Sequence, residues 1–165
     1  MHFVRSLRAL LPLAGAALLL TAAVQPAAAG LEEAVKALQA GDTATAEKEL
    51  QLLAKERDPR AQVVLGLYVY GNAESKLFDI NKATPLLLDA SERGYLPAMI
   101  PLAGAYAEGK GVPKSLFEAY KWCAIAELWN VPNANLALEQ AGRELPAAEA
   151  EKAKAAAAAY TFKTK

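Results

Sequence analysis

The sequence predicts an all-α solenoid of about four helical hairpins, and three observations predict it. From Leu31 onward alanine is abundant, and no stretch shows the period-two alternation or β-branched enrichment of a sheet. Turn and capping residues punctuate the chain at helix-length intervals. A pattern of small and large apolar residues also returns at an offset of 36, a period that marks stacked supersecondary units.

Candidate helices run over 31–40, 43–56, 59–71, 79–93, 96–108, 115–129, 132–143 and 146–162, pairing into hairpins at about 31–57, 59–94, 96–130 and 132–163. Gly41-Asp42-Thr43 makes a tight turn between the first two. Asp79 opens the fourth helix as an N-cap whose side-chain oxygen satisfies orphan amides. Ser115 opens the sixth, and with Glu118 three residues on it is expected to form a reciprocal capping box. Gly94 and Asn130 tolerate left-handed geometry and end the two long helices, while Pro97 and Pro132 prevent read-through. The last segment, PAAEAEKAKAAAAAY over 146–160, is a strong helix former that caps the stack, with Tyr160 and Phe162 available to anchor it.

The repeat is clearest when Lys82–Ala98 is laid over Glu118–Ala134: Ala83 meets Ala119, Leu86 meets Trp122, Ala90 meets Ala126, and Gly94 meets Asn130. Small residues at Ala61, Gly66, Ala98, Ala103 and Ala134 let helix backbones approach closely. Leu65, Leu102, Tyr106 and Trp122 fill the spaces between neighbouring hairpins. No single hairpin can bury its own apolar face, so the core is shared along the stack.

The first residues set the expected address. Arg5 and Arg8 precede an apolar run from Ala9 to Ala23, and Ala27-Ala28-Ala29 follows Pro26, which reads as a signal peptide over 1–29 cleaved after Ala29. Pro12, Gly15 and Pro26 interrupt the run, which argues against a transmembrane span, and no membrane span is expected after cleavage. The remaining 30–165 forms one repeat domain with sixteen basic and eighteen acidic residues, a net charge of −2. That balance carries no electrostatic footprint for nucleic acid and no polybasic patch for anionic lipid. Cys123 is the only cysteine, so no internal disulfide forms, and its apolar neighbours place it in the core. The only histidine, His2, leaves with the leader, and with it go the usual nucleophile triads and nearly every zinc site. No metal and no cofactor is expected.

Ala98-x-x-x-Leu102-Ala-Gly-Ala-Tyr106-Ala-Glu-Gly109-Lys-Gly111-Val112-Pro113, followed by Glu118-Ala119-x-x-Trp122-x-x-x-Ala126, resembles the Sel-one-like repeat (SLR) family, a subclass of tetratricopeptide-like solenoids. The copy before it keeps Leu65-Gly66, Asp79, Lys82-Ala83 and Gly94, but its loop, 72–78, lacks the glycines and is expected to be reshaped in a different register. The opening hairpin looks like an ordinary tetratricopeptide repeat. The resemblance implies a right-handed superhelix whose concave face holds protein partners, in an adaptor, assembly factor or regulator of the bacterial cell envelope. By register with tetratricopeptide grooves, the implied lining is Arg60, Val63, Leu67, Tyr70, Ile100, Glu108, Leu136, Gln140 and Arg143. Arg60 and Arg143 would fix the register of a bound peptide.

The expected function is therefore a non-catalytic protein-interaction scaffold or regulator, periplasmic rather than fully secreted, with protein partners in the envelope. A structural subunit of an envelope assembly is the alternative, with Trp129 and Tyr95 as its exposed aromatic face. An enzyme is not expected: Ser-x-x-Lys is absent, and Gly109-x-Gly111 follows a helix rather than a strand. Glu108, Glu118, Glu127 and Glu139 are the carboxylates that would have to meet for acid–base work. Some cysteine-rich relatives in the resembled family are linked to β-lactam binding or hydrolysis, but they pair cysteines within each repeat, and this chain has only Cys123.

Overall fold

A computed structural model of the chain describes residues 26–163, so all but the last four residues of the predicted leader lie outside the described part. The helices are α1 (Pro26–Gln39), α2 (Thr43–Lys55), α3 (Pro59–Val64), α4 (Ile80–Glu92), α5 (Met99–Glu108), α6 (Leu116–Leu128), α7 (Ala134–Gly142) and α8 (Ala147–Ala158). α3 continues as a π-helix at Leu65–Tyr70, and a 3-10 turn at Leu96–Ala98 leads into α5. No strand occurs among the described residues.

Four of the helices begin where an acceptor side chain precedes them. Asp42, Asp58 and Asp79 accept the amide N–H groups of Thr45, Arg60 and Asn81 at the starts of α2, α3 and α4. Each such cap contributes about 1 kcal/mol. Ser115 accepts the Glu118 amide at 3.2 Å, but the expected capping box closes on one side only. The Ser115 amide is donated instead to the Tyr106 carbonyl at 2.9 Å. The Glu118 carboxylate accepts from Lys121 at 2.6 Å.

Two apolar clusters run along the stack. One gathers Ala34, Ala46, Leu50, Ala61, Leu65 and Ala83; the other runs from Leu87 through Met99, Leu102 and Trp122 to Ala134 and Ala157. Neither belongs to one hairpin, because α2 packs on α3, α4 on α5 and α6 on α7 as well as within hairpins. Ala61, Ala98 and Ala134, in matching places of successive repeats, are all buried. A Cβ on Gly66 would stand 3.2 Å from the Ala83 carbonyl oxygen, so glycine there sets how closely α4 approaches.

The two repeat loops close alike in spite of their different residues. The Asp79 amide donates to the Tyr70 carbonyl as the Ser115 amide does to Tyr106, each at 2.9 Å. Between those ends the earlier loop is reshaped as expected, with the Ser75 and Phe78 amides donating to the Asn72 and Ser75 carbonyls at 2.9 and 3.1 Å, and the helix before it ends differently too. α5 ends on Gly109 at φ +72°, whereas the matching position of the earlier copy is Ala73, whose Cβ disfavours left-handed geometry. The wider π turns of Leu65–Tyr70 end the helix there.

The last hairpin departs from expectation. α7 and α8 both pack on α6 and hardly on each other. The buried face of α8 is alanine alone, Ala153 and Ala157, which sits closely on a neighbouring helix. Aromatic rings anchor the chain just past α8: Tyr160 meets Trp122 edge-on with centroids 5.2 Å apart, and Phe162 meets Trp129 at 5.5 Å. Beyond them the Lys163 amide donates to the Glu92 carbonyl at 2.7 Å, carrying the segment back to the end of α4. Trp129, exposed as expected, is thus the seat of Phe162, and Tyr95 packs against the core.

A polar clamp joins the first two hairpins. Arg57 donates to one carboxylate oxygen of Asp89 at 2.7 Å, and Gln62 and Arg93 donate to the other at 2.7 and 2.8 Å. Burial pushes the Asp89 carboxyl up, but these three donors outweigh it and leave the pKa at about 2. Because this lies below the ordinary value of 3.8, the clamp's contribution is complete above about pH 4 and is lost as the pH falls toward 2. Allowing for partial exposure, the contribution is on the order of 1–2 kcal/mol. Urea titrations of wild type and Asp89→Asn should therefore differ at about pH 6 and converge near pH 2. An undiminished gap at the acid end would show that the charge on Asp89 is not what stabilises the junction.

Candidate functional site

Between α5 and α7 the chain forms a cleft of about 360 Å³, a size typical of sites that hold a small ligand or a few side chains. Ile100, Ala103, Gly104, Ala107 and Glu108 line it from α5, at the three- and four-residue spacing of one helix face. Ala137, Gln140, Ala141 and Glu144 line it from α7 or just beyond; Ala119 and Cys123 of α6 lie beneath, and Lys114 and Leu116 close one end. The small residues are the reason a cleft exists, since larger ones at the same places would fill it. Gly104 is exposed, and a Cβ there would meet nothing within 4 Å.

The cleft is apolar below and polar at its rim. Glu108 is held by Lys110 at 2.5 Å, whereas Lys114 and Glu144 have no ion pair among the described residues. Cys123 is a free, buried thiol, and burial pushes its pKa up to about 11, so at neutral pH it is protonated and not nucleophilic. The carboxylates considered for acid–base work are dispersed: Glu118 pairs with Lys121 at 2.6 Å, Glu139 with Arg143 at 3.3 Å, and Glu127 lines a different hollow. Among the described residues, no group of three or more His, Cys, Asp or Glu side chains is placed to hold a metal ion.

Of the nine residues expected to line the groove, the structure brings Ile100, Glu108 and Gln140 together in this cleft. Leu136 is exposed on α7, one turn before Gln140, and lies outside the lining. Arg143 lines a separate hollow with Tyr120 and Lys154. Arg60 pairs with its own N-cap, Asp58, at 2.6 Å, in another cavity at the start of α3. Leu67 is half-buried against the second core cluster. Val63 and Tyr70 are only 8% and 4% exposed. The Tyr70 hydroxyl is further engaged, donating to Glu47 at 2.6 Å and accepting from Gln51 at 2.8 Å. Arg60 and Arg143 thus line different hollows. For Leu67 and Tyr70 the borrowed register assumes uniform α-helix, and the π turns of Leu65–Tyr70 change the angle at which these side chains leave the axis.

The lining residues Ala107, Cys123, Ala137 and Ala141 are not expected at a site from the sequence, because small residues read first as close helix contacts. One signal marked them: Gly104 lies inside a helix, where it costs about 1 kcal/mol relative to alanine and has no packing neighbour to justify it.

No family model matches the chain, and no curated protein matches it. Solved structures do match. A protective antigen present in uropathogenic Escherichia coli strains and displaying an SLR fold aligns with a TM-score of 0.73 and 20% identity, over 81% of this chain and 29% of that one. A Sel1 repeat protein from Oxalobacter formigenes aligns with a TM-score of 0.53 and 25% identity, over 70% of this chain and 35% of its own. The chain has the SLR fold. It spans about a third of the length of either neighbour. In SLR terms, α5 and α7 are the first helices of consecutive repeats, so the cleft lies between equivalent faces of two units. No helix among the described residues is long and apolar enough to cross a membrane.

Proposed function

We propose that the chain is an exported, non-catalytic scaffold or regulator of the bacterial cell envelope that holds a segment of a partner protein in the cleft between α5 and α7. The observation that carries this reading is the row of alanine and glycine on facing sides of two SLR first helices, which leaves an apolar slot with Lys114, Gln140 and Glu144 at its rim. Such a slot accepts an apolar side chain of an extended segment while the rim bonds its backbone. Export is supported by Arg5 and Arg8, the apolar run after them and the small residues at Ala27–Ala29. Among the described side chains, the α1 residues that reach the core, Leu31, Ala34, Ala37 and Leu38, lie beyond the expected cut, so cleavage is compatible with the fold.

The test is photo-cross-linking in cells, with a benzophenone side chain at Gln140 in one strain and at exposed Leu52 in another. The Gln140 strain should yield one dominant envelope adduct that the Leu52 strain lacks, on protein recovered from the periplasmic fraction with Gly30 as its first residue. Identical adducts from both positions would count against the cleft, and an uncleaved N-terminus or cytoplasmic recovery would count against export.

A further inference from the structure

A second cavity, of about 630 Å³, opens where the first two hairpins join, and it shares no lining residue with the cleft between α5 and α7. Arg57, Arg60, Arg93 and Lys163 line it together with Glu56 and Asp58. Four cations from three separate parts of the chain meet at one opening. We propose that this cavity binds the carboxylates of an acidic segment of a partner protein.

Donors are left over here once internal pairing among the described residues is complete. Arg60 donates from Nε and one terminal nitrogen to Asp58, at 3.1 and 2.6 Å, which leaves its other terminal nitrogen unspent. Arg57 donates through a single terminal nitrogen to Asp89 at 2.7 Å, and its side chain is 58% exposed. Among the described residues, Lys163 has one carboxylate partner, Glu92. Arg93 is the most telling member. Its side chain is only 9% exposed, its terminal nitrogens serve Arg57, Gln62 and Asp89, and its buried Nε has no acceptor. A buried donor without a partner is costly, and a small shift of this guanidinium toward an incoming oxygen would satisfy it.

The charges decide what kind of binding this is. With Asp89 and Glu92 counted beside Glu56 and Asp58, four acids balance the four cations, so there is no long-range field to draw in an anion. Recognition instead comes from short, directed bonds, and the guanidinium fork suits the planar carboxylate. The cavity exceeds what one small oxyanion fills, and its donors lie on separate segments. Both features favour a chain bearing several carboxylates over a free ion.

The experiment tracks the arginine Nε–H resonances of the ¹⁵N-labelled protein during titration with a hexaglutamate peptide, with inorganic phosphate in a parallel series. Signals of Arg57, Arg60 and Arg93 should move together and saturate, while Arg143, paired with Glu139 at the surface, stays still. Arg60→Gln removes only an exposed pair, so it should keep the wild-type melting temperature and weaken hexaglutamate binding about tenfold, the effect of one charge-assisted hydrogen bond. Gly104→Phe, which fills the other cleft, should titrate as wild type does. Three results would overturn the proposal: no movement at millimolar peptide, equal movement of Arg143, or saturation with phosphate but not with peptide.

Discussion

Gly111→Ala is expected to lower the unfolding free energy by about 4 kcal/mol and the melting temperature by roughly 10–15 °C. Gly111 stands at φ +69°, where any Cβ is strained. That Cβ would also fall 2.4 Å from the Ile80 carbonyl oxygen and 2.6 Å from the Thr84 hydroxyl, both on α4. The carbonyl belongs to a helix and cannot step aside, so the loop must lift. Lifting it breaks the bond by which the buried Thr84 hydroxyl donates to the Lys110 carbonyl at 2.8 Å, the tie between this repeat loop and the helix of the repeat before it. Gly109→Ala provides the comparison. It shares the left-handed φ, +72°, but its nearest neighbour would be the Lys114 Cβ at 3.1 Å, and the loss should be about half as large. Thermal denaturation of the two variants beside wild type checks the order; equal losses would mean that φ alone, and not the docking on α4, sets the cost.

Trp122→Ala is expected to cost about 4 kcal/mol, the range for emptying a buried large aromatic site. Trp122 is 2% exposed in the middle of the second core cluster, and it is also what Tyr160 rests on. The variant should therefore lose more than stability. With the ring gone, the small alanine face of α8 has little to hold it, and the amides of 147–163 should exchange with solvent before those of α1 and α2 do. Exchange measured by mass spectrometry separates this from general loosening. If α8 keeps its protection while the whole chain weakens, its docking on α6 does not depend on the Trp122–Tyr160 contact.

The parts of the structure that were legible in the sequence are those fixed by local chemistry or by the period. Asp79, Ser115, Gly94 and Asn130 act in the places their residue types suggest, because an N-cap or a left-handed residue needs little information from afar. The offset of 36 located the close contacts at Ala98 and Ala134, since matching places in stacked units meet matching neighbours. The rest depended on tertiary choices. Glu118 had two partners within reach, and only the folded loop shows that the Ser115 amide is already taken by Tyr106. The π turns at Leu65–Tyr70 show in the sequence only as one extra residue, the offset being 37 from Ala61 to Ala98 and 36 from Tyr70 to Tyr106, and they moved Tyr70 from an expected groove to a buried bond with Glu47. The choice of α6 rather than α7 as the seat of α8 was likewise hidden, because an alanine face is compatible with almost any neighbour. At the site, Ile100, Glu108 and Gln140 were legible through the shared register, while the alanines between them look the same whether they touch a helix or face an empty cleft.

That ambiguity also supplies the most direct test of the central claim, that the slot between α5 and α7 is where a partner is held. Gly104→Phe removes a helix-interior glycine and starts from a Cβ with no neighbour within 4 Å, so the variant should fold with equal or slightly higher stability. The measurement is quantitative affinity capture from the envelope fraction with wild type and Gly104→Phe as paired baits of matched melting temperature. A protein retained by the wild type should be lost with the filled cleft. Equal retention by both would place the interaction elsewhere on the solenoid and contradict the claim.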